Sequence, residues 1–165
     1  SDVCSSDLHT VSQDHKFYRE QLYSPLAIEM DRVLVDAPCS GTGSWRQHPE
    51  NRLHVSQERM GAIVDTQRGL LLEGADCVKP GGRLIYSVGS ILPAGTEGQV
   101  EWFLKNRAEK GESWKLLDYR DIWRAQLMGS EPRESLSSIP ECLLLSPASS
   151  ESNGYFVAVF ERGED

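Results

Sequence analysis

Two short apolar runs separated by a long helical pattern constrain this chain more than any other feature. Asp31 to Asp36 (Asp-Arg-Val-Leu-Val-Asp) and Arg83 to Val88 (Arg-Leu-Ile-Tyr-Ser-Val) each have the length and composition of a buried strand. Between them Met60, Ile63, Val64, Gln67, Leu71, Ala75 and Val78 recur at helical spacing. Ser56 is a good N-cap for that helix, and Glu58 in its first turn suits the positive end of the helix dipole. The helix is expected to run to about Lys79 and to be stopped by Pro80-Gly81-Gly82. Strands joined through a helix pair in parallel, so the loops that follow them open on one side of the sheet. The loops after Asp36 and after Val88 are therefore expected side by side, at the carboxyl ends where α/β sheets bind ligands.

The remaining elements extend this unit. Thr96 and Gln99 form a capping-box pattern ahead of a helix carrying Val100, Phe103 and Leu104 on one face. Trp114 to Leu117 reads as a third strand, and Asp118 to Pro140 as loop-rich. Leu143 to Leu145 and Tyr155 to Phe160, parted by Ser, Asn and Gly, read as an antiparallel pair. The order is that of the second half of an α/β sheet ending in a hairpin. Residues 9–29 mix polar and aromatic types without a clear period, as in a loop with a short helical or strand piece. Residues 1–8 (Ser-Asp-Val-Cys-Ser-Ser-Asp-Leu) read as an adapter-derived or disordered tail, which places the start of the native chain near His9 and implies a frame truncated at its 5′ end.

Composition narrows the function. No apolar run approaches the roughly 20 residues that cross a bilayer. Cys4, Cys39, Cys77 and Cys142 lie far apart with no CxxC pair, which points to neither a zinc site nor a disulfide framework and suits a reduced, cytoplasmic setting. The net charge is −8. A protein that grips RNA alone needs a basic face to neutralise phosphates. Either RNA is not the ligand, or the basic part belongs to a longer parent chain.

Chemistry concentrates in Asp36-Ala37-Pro38-Cys39-Ser40-Gly41-Thr42-Gly43, where a carboxylate, a thiol and a glycine-rich turn meet at one strand end. Small residues let a ligand approach the backbone, and a thiol there attacks electrophilic carbon if a positive environment activates it. Taken alone, the stretch reads equally as a tight turn around a buried structural cysteine. Ser40 to Ser44 lacks the GKS/GKT signature of a phosphate loop. His48 and His54 read as solvated or locally bonded, Trp102 and Phe103 as core or helix-face residues, Trp123 as cover for a sheet edge, and Cys77 as buried packing.

The wider pattern resembles the Sun/Fmu family of S-adenosylmethionine-dependent ribosomal RNA cytosine-5 methyltransferases. The resemblance rests on Val33 to Gly43, Trp45-Arg46, His48-Pro49-Glu50 and the Gln67 helix. It continues through Lys79 to Tyr86, Leu92-Pro93, Ser146-Pro147 and Asn153-Gly154-Tyr155-Phe156. It covers roughly Asp31 to Arg162 in order. It implies a Rossmann-like methyltransferase sheet, of which residues 9–165 are the C-terminal half of the catalytic domain. It also implies methyl transfer to carbon-5 of a cytosine in RNA, with ribosomal RNA as partner and neither membrane nor metal. One family cysteine attacks carbon-6 of the base, and a second helps release the product. Cys39 matches the releasing cysteine, and Asp36 matches the aspartate near cofactor and base.

Two departures from the family pattern matter. The attacking cysteine belongs to a Thr-Cys-Ser motif that reads Val88-Gly89-Ser90 here, so Gly89 holds the nucleophile's position without a side chain. The acidic stretch after Leu-Pro is likewise eroded, to Ala94-Gly95-Thr96-Glu97. In addition, the family's glycine-rich cofactor loop and RNA-binding N-terminal domain precede the Asp36 strand, and nothing of that kind is readable before it. The implied state is a truncated, inactive fragment. The alternatives are a non-catalytic methyltransferase-like RNA- or protein-binding module, a stand-in nucleophile role for Cys39 (DNA cytosine-5 methyltransferases attack from the corresponding Pro-Cys motif), and a cysteine hydrolase pairing Cys39 with His48 or His54.

Overall fold

The computed structural model describes residues 29–164, apart from the side chain of His54. The tail expected at residues 1–8 and most of the loop segment expected at residues 9–29 lie outside the described residues. Five strands form one mixed sheet: β1 (Met30–Asp36), β2 (Val78–Val88), β3 (Trp114–Leu117), β4 (Leu143–Leu145) and β5 (Tyr155–Arg162). Among the described residues four α-helices accompany them: α1 (Gln57–Asp76), α2 (Glu97–Glu109), α3 (Tyr119–Gln126) and α4 (Pro147–Ser150). The strand order is β1-β2-β5-β3, and β4 pairs with β5 beyond the end of β3. β1 and β2 are parallel, while β5 runs antiparallel to β2, β3 and β4.

Cross-strand register assigns the faces. Val33 and Val35 lie beside Leu84 and Tyr86, which in turn lie beside Phe160 and Ala158. These residues form the face covered by α1, where Gly74 brings the helix backbone against Val35 and Leu84. Leu71, Phe103, Phe156 and Phe160 are fully buried in this layer, each stabilising it by about 1.5–3 kcal/mol relative to exposure. Phe103 packs on Phe160 and Trp114 with ring centroids 4.7 and 5.3 Å away, while Trp102 is partly covered by the Arg68 guanidinium, 4.9 Å from its ring.

Several expectations are corrected. The first strand is buried on one face only: Leu34, pointing away from α1, is 66% exposed. The first helix ends at Asp76 with Cys77 as its half-buried C-cap. Pro80-Gly81-Gly82 does not stop that helix but sits inside β2, where the register with β1 slips between Met30 and Arg32. Gly81 takes the left-handed φ of 72° that this bulge requires. Part of the loop-rich segment is helix α3, capped by the Asp118 side chain accepting from Arg120 N.

The Thr96–Gln99 capping box does not form. The Thr96 hydroxyl turns instead to the Leu92 carbonyl (2.9 Å) and to the Glu97 carboxylate, and Gln99 Nε2 donates to the Ala94 carbonyl. Glu97 replaces the box. Its buried carboxylate also accepts from Ser137 Oγ (3.0 Å) and Ser138 N (3.3 Å), tying the segment ahead of β4 to the start of α2.

Burial by itself would raise the Glu97 pKa, but the hydrogen bonds from Thr96, its own backbone, Ser137 and Ser138 outweigh it and hold the carboxyl below its ordinary value of 4.5. A depressed folded-state pKa stabilises the fold above the unfolded value, and that contribution disappears as pH falls through the folded value. Glu97→Gln is expected to cost about 1–2 kcal/mol at neutral pH. Urea midpoints should show the gap between the two proteins closing as pH drops below about 4.5. A gap that stays constant into acid would remove the carboxylate's role.

Candidate functional site

The two loops expected side by side are joined by direct bonds. β1 and β2 place Asp36 opposite Ser87, and Ala37 N donates to the Ser87 carbonyl at 3.0 Å. Beyond them Gly43 N donates to the Gly89 carbonyl at 3.1 Å, and Gly154 N, just ahead of β5, donates to the Gly43 carbonyl at 2.8 Å. Three chain segments thus touch through glycine backbones. A Cβ on Gly43 would stand 2.0 Å from the Gly154 carbonyl oxygen, so only glycine fits.

Hydroxyls reinforce the junction. Ser90 Oγ lies 3.0 Å from Ser40 Oγ and 3.2 Å from Thr42 Oγ1, and it accepts from Leu92 N. Thr42 Oγ1 also accepts from Ile91 N at 3.1 Å. Ser90 is 1% exposed and its oxygen is fully engaged, so it is a clamp between the loops and not a free nucleophile.

Cys39 sits where these loops meet. It is a free, half-buried thiol whose Sγ is 3.6 Å from where a Gly89 Cβ would lie. That separation is ordinary van der Waals contact, and Gly89 is not among the glycines with positive φ. Neither space nor backbone requires a glycine there. The loop carrying Cys39 is held from behind by Gln67 of α1, fully buried, whose Nε2 donates to the Pro38 carbonyl at 2.9 Å. Tyr86 OH donates to the Gly95 carbonyl at 2.8 Å. Burial, and secondarily the charge of Cys39, push its phenol far above the ordinary range, so it remains a donor.

Asp36 is exposed at the strand end, and its Oδ1 accepts from Ser87 Oγ (2.9 Å) and Tyr155 OH (3.2 Å). Among the described residues Oδ2 takes no hydrogen bond, which makes it the acceptor available to a ligand. In the sequence Gln67 and Tyr155 belong to a helix and a hairpin that share in the family resemblance, but neither is assigned a place at the site. What brings them to the site is register and packing. His48 is exposed and lies 3.4 Å from Glu50, with no contact that would make it a base for Cys39. Among the described residues no group of His, Cys, Asp and Glu could hold a metal ion.

The geometry predicts a covalent trap. In Gly89→Cys a sulfur on the new Cβ reaches bonding distance of Cys39 Sγ by side-chain rotation and a small loop shift. Mild oxidation should link the two positions, read as a cross-linked peptide pair after digestion. Cys142 should stay free, because burial and then Glu97 and Glu141 push its thiol up to about 12. Oxidation products that never include Cys39 would contradict the juxtaposition.

Comparison with known proteins agrees with this architecture. The chain is 30% identical over 134 residues to a probable ribosomal RNA small subunit methyltransferase B of Synechocystis, covering 81% of this chain and 27% of that protein. It is 40% identical over 93 residues to the ribosomal RNA small subunit methyltransferase B of Thermus thermophilus, covering 56% of this chain and 23% of that protein. The chain therefore spans about a quarter of the length of these curated relatives. A crystal structure of a methyltransferase homolog protein from Pyrococcus horikoshii superposes with a TM-score of 0.60 at 28% identity, covering 86% of this chain and 42% of that one. The sheet is accordingly part of a Rossmann-like methyltransferase fold. With a family model matched over residues 3–161, the chain belongs to the 16S rRNA methyltransferase RsmB/F family.

Proposed function

We propose that residues 9–165 are a partial catalytic domain, behind a short N-terminal tail, of an enzyme that transfers a methyl group from S-adenosylmethionine to carbon-5 of a cytosine in RNA. Ribosomal RNA in the cytoplasm is the substrate this reading favours. The observation that carries it is the meeting of Asp36, Cys39 and Gly89 at adjacent parallel strand ends, with Cys39 Sγ 3.6 Å from the missing Gly89 Cβ. Family membership supports the reaction class.

The residues present do not by themselves fit S-adenosylmethionine. No glycine precedes Gly41 in the whole sequence, so no glycine turn ahead of β1 lets the backbone approach a nucleoside and amino-acid tail.

The roles of the chain's own residues are those that the family resemblance implies, and their positions suit them. Cys39 would stand next to the base as the thiol that assists product release, and Asp36 Oδ2 would offer an acceptor. Attack on carbon-6 needs a second thiolate held at fixed geometry. Gly89 supplies none, so this chain does not activate the base. Basic RNA-binding surface must come from elsewhere in the parent enzyme, in keeping with the charge of −8.

The test is methyl transfer to a cytosine-containing RNA by a chimera. Residues 29–164 would replace the matching segment of the Synechocystis relative, with either Gly89 or Gly89→Cys. Gly89 itself favours the second reading, a non-catalytic methyltransferase-like module. Persistent inactivity of Gly89→Cys in a folded, cofactor-binding chimera would establish that reading.

A further inference from the structure

The sheet register places one more side chain on the carboxylate of the site. Asp36 lies opposite Ser87, and Ser87 opposite Val157. Tyr155 stands two residues before Val157 and so shares its sheet face. It is a diagonal neighbour of Ser87, a separation that an aromatic side chain can span. Its hydroxyl reaches Asp36 Oδ1 and Ser87 Oγ, each at 3.2 Å. A phenol has one proton, and the charged oxygen is the stronger acceptor. Ser87 Oγ donates to the same Oδ1 at 2.9 Å.

We propose that Tyr155 is a positioning residue: with Ser87 it saturates Asp36 Oδ1, fixes the plane of the carboxylate, and leaves Oδ2 aimed outward for an N–H donor of the bound base. The identity of that ligand rests on the function proposed above, whereas the contact itself does not. Tyr155 follows Gly154, whose N–H is bonded to the Gly43 carbonyl, and pairs across the sheet with Leu145 of β4. The C-terminal hairpin is thereby coupled to both Asp36 and the Cys39 loop, although more than a hundred residues separate Tyr155 from Asp36 in the chain. Tyr155 is 38% exposed, and Tyr155→Phe keeps the ring and its burial while removing only the hydroxyl.

Two measurements test the role separately from the reaction. In the 165-residue chain, labelled with carbon-13 at aspartate carboxyls and assigned through Asp36→Asn, Tyr155→Phe and Ser87→Ala should each move the Asp36 carboxyl resonance and leave other aspartates in place. An Asp36 resonance that responds to Ser87→Ala but not to Tyr155→Phe overturns the contact. In the chimera carrying Gly89→Cys, Tyr155→Phe should lower kcat about tenfold with KM for RNA unchanged, and unchanged kcat overturns the positioning role. If that chimera is inactive while the resonance still shifts, the functional reading fails and the contact stands.

Discussion

Replacing Gly89 by cysteine is expected to raise methyl transfer by the chimera by at least about a thousandfold over its Gly89 form, because covalent activation is lost entirely without a nucleophile. The gain depends on a site that is otherwise assembled. The loop around Gly89 is fixed by the bond to Gly43 N and by the Ser40–Thr42–Ser90 hydroxyls, none of which involves a side chain at position 89. A new Cβ meets only Cys39 Sγ, at 3.6 Å. The substitution therefore adds a thiol beside Cys39 without a clash and should leave the fold intact. Within the Gly89→Cys chimera, Asp36→Asn should abolish the gain. Cys39→Ser should instead trap enzyme on RNA as a complex that survives denaturing electrophoresis, since in the proposed mechanism product release needs that thiol. Assays require reductant, because the two thiols would otherwise link. Equal, substantial transfer by the Gly89 and Gly89→Cys forms would show that the nucleophile lies elsewhere and make Cys39 the leading candidate.

Most of this site was legible in the sequence because it is built from local signals joined by one chiral rule. Two apolar runs and a helical period define a parallel pair, and a parallel pair puts its two following loops together. Asp36, Cys39 and Gly89 meet for that reason. The features that stayed hidden depend on long-range pairing. β5, last in the chain, inserts between β2 and β3, and no local period announces which strand a hairpin will join. Tyr155 acquires its role only through that insertion. Helical spacing and the family resemblance place Gln67 on an amphipathic helix, but neither says that its amide donates to the Pro38 carbonyl. Local rules also misread two termini. Pro80-Gly81-Gly82 signals the end of a helix equally well as a bulge at a strand's start, and the helix had already ended at Asp76. Thr96 had a better acceptor in the Leu92 carbonyl than a capping role offered.

Gly43→Ala is expected to be the most damaging small substitution at the site, costing about 3 kcal/mol or more. The added methyl would fall 2.0 Å from the Gly154 carbonyl oxygen and 2.8 Å from the Gly89 carbonyl oxygen. Both obstacles are backbone, so no side chain can swing aside. Relief requires parting the β5 end from the Cys39 loop, which breaks the Gly154 N–Gly43 O and Gly43 N–Gly89 O bonds together. Displacing β5 by even part of that distance also withdraws Tyr155 from Asp36. The stability loss should therefore arrive with faster labelling of Cys39 and a shifted Asp36 carboxyl resonance. Gly61→Ala is the control. It lies within α1 with nothing within 4 Å of its Cβ position, and it should gain about 0.5–1 kcal/mol from reduced chain entropy. Urea denaturation of the two variants, with Cys39 labelling rates measured below the transition, separates a local clash from a general intolerance of alanine. If Gly43→Ala loses only a few tenths of a kcal/mol, like an ordinary surface change, the three segments are not in the close backbone contact described, and the site that depends on it must be redrawn.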